Sequence, residues 1–276
     1  MKTYRFKPDH PSGEPGRVGR QGFRLPTRSG IRVGTKSCPP YLAERGFTLV
    51  EMAIVLVIVV LLLGGLLMPL STQVEQRRIG ETQKALEEIK EALIGFAANQ
   101  TPPHLPCPDK TSGGGAGTAN DGLEDVTAAT GACVTQEGNI PWATLGVADV
   151  DAWGNRIHYS VTAIFSNRSP ATMFALASAG TLRVCTAPTC TTQTATALPA
   201  IVLSYGKNGF GAINQTGGIN PAPTSADEQA NTDLNVDFVS HTPTQAGAAN
   251  GEFDDLVTWL SPNILFNRMV AAGKLP

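Results

Sequence analysis

The side chain with the clearest chemical consequence is Glu51, the single ionisable group in the otherwise almost entirely apolar run Phe47–Leu70. A carboxylate inside an apolar helix costs about 2.5 to 3.5 kcal/mol on membrane-insertion scales, so its position there indicates a function. Pairing with a cation is the chemistry open to such a group, because two charges that are each costly in lipid become tolerable together.

Catalytic chemistry has little support in the sequence. The histidines that follow the apolar run are His104, His158 and His241, and no G-x-S-x-G, H-E-x-x-H or phosphate-loop pattern is present. The glycine-rich stretch at residues 206–211 lies at a predicted turn and does not open a helix, so it lacks the geometry that binds phosphate. We therefore predict that the chain is not an enzyme.

The run Phe47–Leu70 is long enough to cross a bilayer, since a helix of this length reaches about 36 Å against a hydrocarbon core of about 30 Å. Residues 1–46 contain ten Lys or Arg against three acidic residues, which predicts that they stay cytoplasmic while residues 101–276 lie outside the inner membrane. The acidic balance of the later part disfavours nucleic-acid binding. A signal peptide has a shorter apolar region followed by a small-x-small site, and a plain anchor leaves Glu51 unexplained.

Residues 45–51, Arg-Gly-Phe-Thr-Leu-Val-Glu, resemble the prepilin cleavage and methylation signature of type IV pilins and type II secretion pseudopilins. The resemblance implies that a membrane-embedded prepilin peptidase cuts between Gly46 and Phe47, and that Phe47 is N-methylated. Residues 1–46 would be a discarded leader; a start site assigned too far upstream would also explain its unusual length. Glu51 could then neutralise the new ammonium of Phe47 on a neighbouring subunit.

Beyond Ser71 the pattern becomes amphipathic and predicts that the helix continues over residues 71–99. Gly64, Gly65 and Pro69 predict a local kink or loosening before this part. A two-chain coiled coil is the alternative explanation of the stripe, but a helix packed on its own chain's sheet needs the same pattern. The stripe consists of Ile79, Thr82, Leu86, Ile89, Leu93 and Phe96.

Residues 101–276 are predicted to form a β-rich extracytoplasmic domain. We predict an α+β, pilin-like fold, in which an antiparallel sheet packs on the amphipathic half of a long amino-terminal helix. Asn208-Gly209 is a hairpin-turn signal within this domain. The predicted strands are residues 157–165, 173–177, 181–185, 200–205 and 253–260, and a short helix is predicted at 263–272.

Two short elements are similar to the D-x-W-G-N and S-x-G-x-D/N-G elements of G-type major pseudopilins. They are residues 151–159, which begin Asp-Ala-Trp-Gly-Asn, and residues 204–209, Ser-Tyr-Gly-Lys-Asn-Gly. The resemblance implies a calcium site in the loop after the second element, but no EF-hand spacing is present. We therefore predict an acidic solvated loop and no cofactor, with a calcium site as the alternative. Candidate ligands are Asp227, Asp233, Asp254 and Asp255, with Glu228 and Asp237 as further acids nearby.

Four cysteines follow the apolar run, on the oxidising side of the membrane in the predicted topology. Four cysteines allow three pairings. Proximity in the sequence favours disulfides between Cys107 and Cys133 and between Cys185 and Cys190. A tetrathiolate zinc site is the alternative, but neither pair has C-x-x-C spacing and the compartment favours disulfides.

The predicted function is that of a filament subunit, and the preferred candidate is a pseudopilin of a type II secretion system. The alternatives are a minor type IV pilin in adhesion, motility or DNA uptake, and a non-polymerising, membrane-tethered binding module. The family resemblance implies four kinds of partner, namely sibling subunits, prepilin peptidase, an inner-membrane assembly platform and, before assembly, membrane lipid. It also implies an inner-membrane precursor that becomes a periplasmic or cell-surface filament.

Overall fold

The computed structural model describes residues 46–276, except for the side chains of residues 65–70. The predicted leader, residues 1–46, therefore lies outside the described residues apart from Gly46, and only the main chain is described at Gly65 and Pro69. The described chain consists of four helices and seven strands, and the prediction of an α+β fold is confirmed.

The helices are α1 (Leu49–Asn99), α2 (Trp142–Leu145), α3 (Ala226–Ala230) and α4 (Pro262–Ala271). The strands are β1 (Glu137–Asn139), β2 (His158–Val161), β3 (Leu182–Cys185), β4 (Gln193–Leu198), β5 (Ala200–Ser204), β6 (Asp237–Val239) and β7 (Leu256–Leu260). The main chain of α1 stays helical through Gly64, Gly65 and Pro69. That these residues make the helix flexible stays a prediction.

The strands form two sheets. The larger sheet has the order β1-β2-β5-β7 and is antiparallel throughout, as predicted. The smaller sheet has the order β4-β3-β6, in which β3 and β4 are antiparallel and β3 and β6 are parallel. The parallel pair was not predicted, because β6 is only three residues long and has no alternating pattern of its own.

The amphipathic part of α1 is built into the main hydrophobic core. Leu86, Ile89 and Leu93 are buried there together with Ile157 and Tyr159 from the segment that forms β2. Burial of such side chains contributes about 1.5 to 3 kcal/mol each, which accounts for the helical spacing of the stripe. Packing on the chain's own sheet thus accounts for this stripe without a second helix.

The opposite side of α1 carries the charges that the sequence places there. Arg77 Nε lies 2.7 Å from Glu81 Oε1, and Lys84 Nζ lies 3.5 Å from Glu88 Oε1. Exposed pairs of this kind stabilise a helix by only about 0.3 to 0.5 kcal/mol, so they mark the solvated face more than they hold the fold.

Two disulfides join the four described cysteines. Cys107 is bonded to Cys133 and Cys185 to Cys190, with Cα–Cα distances of 5.2 and 5.1 Å. This is the pairing that sequence proximity favours. The first bond ties the segment after α1 to the segment before β1, and the second closes the turn between β3 and β4.

Two local predictions are wrong. Residues 173–177 form turns and irregular chain instead of a strand, because Phe174 is buried as a single anchor and not as part of an alternating series. Asn208-Gly209 lies in a turn after β5, but the chain does not return as a hairpin. It continues through α3 and β6 before β7 pairs with β5.

Candidate functional site

The residues of the predicted cleavage site lie just before α1. Gly46, Phe47 and Thr48 have no regular secondary structure, and Phe47 is 81 % exposed. A Cβ added at Gly46 would meet no atom of the described residues within 4 Å. Among the described residues, the peptide bond between Gly46 and Phe47 is therefore accessible at the surface.

Glu51 forms a capping box with Thr48 at the start of α1. The Thr48 main-chain N–H and hydroxyl both donate to Glu51 Oε2, at 2.7 and 2.9 Å, and the Glu51 N–H donates to Thr48 Oγ1 at 3.2 Å. The Thr48 carbonyl accepts the first helical bond, from Met52 N at 3.1 Å. A threonine and a glutamate three residues apart satisfy each other's main-chain donors in this way.

The capping box gives Glu51 a local role that the sequence analysis missed, although the spacing Thr-x-x-Glu signals it. A carboxylate in the first turn also interacts favourably with the helix dipole. All the hydrogen bonds to this side chain end on Oε2, so within the described residues Oε1 is free to meet another donor. Capping and charge pairing are therefore compatible roles for one side chain.

A family model described as the prokaryotic N-terminal methylation motif matches residues 42–67. The chain carries the methylation motif of type IV pilins and pseudopilins. The resemblance of residues 45–51 to this signature is thus confirmed, while cleavage after Gly46 and methylation of Phe47 stay predictions. Comparison with curated proteins and with solved structures finds no match. The similarity of residues 151–159 and 204–209 to G-type pseudopilins stays a prediction.

The helical part of the methylation motif exposes its apolar side chains. The large apolar residues from Leu49 to Leu63 are between 41 % and 88 % exposed, the extremes being Val59 and Leu49. An apolar surface of this extent marks an interface with lipid or with another protein.

None of the helices in the described part of the chain combines the length and apolar content required to cross a membrane.

A second candidate site lies at one end of the larger sheet, well away in sequence from the methylation motif. There the two turns that resemble pseudopilin elements are in contact, because Ser204 Oγ donates to Asp151 Oδ2 at 2.7 Å. The other oxygen of Asp151 accepts the main-chain N–H groups of Trp153 and Asn155, both at 2.9 Å. Burial raises the pKa of the Asp151 carboxyl, and these donors oppose the rise.

The second of these turns leads to an acidic cluster. The Asn208 main-chain N–H donates to Asp254 Oδ2 at 3.0 Å, and its side-chain amide donates to Glu228 Oε1 at 2.7 Å. Gly206 has a φ of +60°, and a Cβ there would lie 2.3 Å from the Asp254 carbonyl oxygen. Glycine is required at this position, since it alone permits both the backbone angle and the close approach.

The acidic cluster consists of Glu228, Asp254 and Asp255, whose carboxylate oxygens lie within 4.8 Å of one another. Glu228 and Asp255 are buried, and Asp255 is only 4 % exposed. Within the described part of the chain, the Oδ1 atoms of Asp254 and Asp255 have no hydrogen-bond partner. Burial, together with the neighbouring negative charges, raises the pKa of all three carboxyls, that of Asp254 to about 6.

These residues fit a hard divalent cation such as Ca²⁺, which takes carboxylate and carbonyl oxygens as ligands. Unpartnered buried carboxylate oxygens are costly, and a cation between them would offset both the desolvation and the repulsion. Of the four predicted ligands, Asp254 and Asp255 belong to the cluster. The other two do not: Asp227 faces His241, with Oδ2 3.0 Å from Nε2, and Asp233 lies exposed in a loop.

A pair on β1 and β2, the half-buried Glu137 and the buried His158, is another titratable site. Glu137 Oε2 lies 3.8 Å from His158 Nε2, and that nitrogen has no hydrogen-bond partner among the residues that the structure describes. Burial, and to a lesser degree the charge of Asp233, raises the pKa of the Glu137 carboxyl to about 7. Burial lowers the pKa of the His158 imidazole to about 4. At neutral pH the histidine is therefore uncharged, and the two side chains do not form an ion pair.

We expect E137Q to stabilise the protein at high pH and to have little effect at low pH. The pKa of Glu137 is about 7 in the folded chain against an ordinary 4.5. The unfolded chain therefore releases the proton first, and the free energy of unfolding falls as the pH rises from about 4.5 to about 7. Glutamine titrates in neither state, so we expect a gain of about 2 kcal/mol above pH 7 after allowing for solvent access.

Chemical unfolding of the full chain in detergent at pH 4 and pH 8 measures this difference. E88Q, which changes an exposed glutamate of α1, is the control and should give no such pH-dependent gain. Equal gains for E137Q at both pH values would mean that the substitution acts through packing and not through ionisation.

Proposed function

We propose that this chain is a pilin-like structural subunit that prepilin peptidase processes and that assembles into a filament through its apolar amino-terminal helix. The observation that carries the proposal is the methylation motif at residues 42–67. Two features support it, the accessible bond between Gly46 and Phe47 and the exposed apolar side chains of the helix that follows.

Cleavage of that bond creates an α-ammonium group on Phe47, four residues before Glu51. In an apolar environment the ammonium and the carboxylate are each costly, and pairing them between neighbouring subunits lowers the cost of both. The capping box supports this role, since Thr48 holds Oε2 and leaves Oε1 for a second donor. In this proposal Glu51 fixes the register of each incoming subunit.

The proposed topology follows from the same reasoning. Residues 47–70 lie in the inner membrane in the precursor and form the filament core after assembly. Residues 71–99 and 101–276 lie outside the cytoplasm, where the two disulfides are stable. The proposed partners are sibling subunits, prepilin peptidase, the inner-membrane assembly platform and, before assembly, membrane lipid.

We propose that the subunit is a pseudopilin of a type II secretion system, and we place a minor type IV pilin second in the order of candidates. The hydrogen bond between Asp151 and Ser204 supports this order, because it joins the two elements that resemble those of G-type pseudopilins. A non-polymerising tethered module is the third candidate. It predicts an intact leader, whereas the first two predict its removal.

Mass spectrometry of the mature amino terminus tests the proposed function directly. We expect a chain that begins at Phe47 and carries one N-methyl group. A chain that still carries its leader after expression with an active prepilin peptidase would leave only the tethered module. Co-purification with secretion or pilus components, and loss of secretion or of pili on deletion, separates the first two candidates.

We also propose that the acidic cluster binds Ca²⁺ through Glu228, Asp254 and Asp255. The unpartnered Oδ1 atoms of Asp254 and Asp255 favour a cation over a simple solvated acidic loop. The cation would hold α3, the turn after β5 and the start of β7 together at one end of the larger sheet. Its contribution is to stability and not to a reaction.

We expect 1 mM Ca²⁺ to raise the thermal unfolding temperature of the full chain by several degrees, and chelation to remove the gain. If Ca²⁺ is present at about 100 times its Kd, linkage predicts about 2.7 kcal/mol of stabilisation. D255N should lose the response, whereas D233N, which changes an exposed acid outside the cluster, should keep it. An equal response of both variants, or no response of the unaltered protein, would contradict the calcium proposal.

A further inference from the structure

The outer edge of β7 has no main-chain partner among residues 46–276. The strand is the last in the order β1-β2-β5-β7, and its other edge pairs with β5. In that pairing Leu260 lies opposite Ala200, and Leu256 lies opposite Ser204. Within the described residues, no other main-chain hydrogen bond reaches residues 256–260. Natural proteins usually protect such edges with charged residues, proline or bulges. The sequence of β7, Leu-Val-Thr-Trp-Leu, contains none of these protections.

A groove of about 950 Å³ runs between this strand and α1. Its lining includes partly exposed apolar side chains of α1, such as Ile79, and of β7, such as Leu256 and Val257. A strand added to a sheet lies about 4.8 Å from its neighbour and places alternate side chains on each face. The groove thus offers both unpaired main-chain groups and apolar surface to an added strand.

The groove is acidic. Among the basic side chains near these acids, Lys207 Nζ lies 3.9 Å from Glu75 Oε2, Lys90 Nζ lies 2.8 Å from Glu87 Oε2, and His241 faces the buried Asp227. The carboxylates therefore outnumber the cations that could meet a ligand. The acids that line the groove outside the acidic cluster are Glu75, Glu87 and Glu252.

From this combination we infer that β7 and the groove bind an extended, cationic segment of a partner protein by strand addition. Main-chain hydrogen bonds to the edge would supply affinity, and Lys or Arg side chains facing the carboxylates would supply specificity. A second copy of this chain fits poorly, because a symmetric pairing of β7 edges would bring two acidic grooves together. The inference does not depend on which filament the subunit belongs to.

Binding of synthetic eight-residue peptides to the full chain in a non-ionic detergent tests the inference. The probes are a peptide of alternating Lys and Val and its counterpart of alternating Glu and Val. A change in tryptophan fluorescence reports the binding, since Trp153 lines the groove. We expect the Lys peptide to bind at least tenfold more tightly than the Glu peptide. N-methylation of the alternate amides on one edge of the Lys peptide should weaken its binding at least tenfold.

Two variants locate the binding. The double variant E87K/E252K should reverse the preference between the peptides, whereas E88K/E91K, at exposed positions of α1 outside the groove, should keep it. Equal binding of both peptides, full binding of the N-methylated peptide, or no measurable binding of the Lys peptide would overturn the inference. A dimer of the chain that excludes the Lys peptide would assign the edge to self-association, and would overturn it as well. The peptide comparisons use the unaltered chain, so they remain decisive if a variant misfolds.

Discussion

Filament formation should be lost in both E51A and E51Q, while cleavage after Gly46 continues. Glutamine keeps an acceptor for the Thr48 N–H and hydroxyl, so E51Q preserves the capping box. It removes only the charge that is proposed to meet the Phe47 ammonium. We expect sheared or sedimented filaments to fall at least tenfold in both variants, with the processed subunit accumulating in the membrane.

T48A is the complementary variant, because it removes the side-chain half of the capping box and keeps the carboxylate. We expect a loss of about 1 kcal/mol of helix stability and a much smaller loss of filaments than in E51Q. If E51Q assembles as well as the unaltered chain and T48A does not, capping is the function of Glu51 and the charge pairing is wrong.

Replacement of Gly46 by valine should abolish maturation. A Cβ at this position meets nothing within 4 Å, so the substitution leaves the described structure undisturbed and acts on recognition by the peptidase. We expect the unprocessed precursor to account for more than nine tenths of the protein by mass spectrometry, with no free Phe47 terminus and no filaments.

G80V is the matched control for that experiment. Gly80 also has nothing within 4 Å of an added Cβ, but it lies in α1 beyond the methylation motif. Processing of G80V should be normal. Normal processing of G46V in the same host would contradict the assignment of the cleavage site.

The sequence is most informative where one physical pattern governs a long segment. The spacing of Leu86, Ile89 and Leu93 predicts the buried face of α1, because burial in one core imposes helical periodicity on the whole stretch. The strands at residues 200–205 and 253–260 are predicted from a different signal, because turn residues bound each of these runs. By contrast, β1 and β6 have three residues each, too few for a periodic signal to appear.

The candidate sites divide in the same way. The methylation motif is contiguous, so residues 45–51 predict it without a structure. The acidic cluster is assembled from Glu228 in α3 and from Asp254 and Asp255 before β7, and only the folded chain separates these acids from Asp227 and Asp233. The perturbed pKa of Glu137 arises from burial beside a strand that the sequence does not predict.

The burial of the carboxy-terminal part of α1 has a mechanical consequence. From Leu86 to Ala97 its buried side chains belong to the same core as Leu260 and Leu275. Tension applied along this part of the helix is therefore carried by interlocked side chains and not by a loose tether. Pulling the helix out of the domain would require the core to rupture, so these segments are expected to yield together under load.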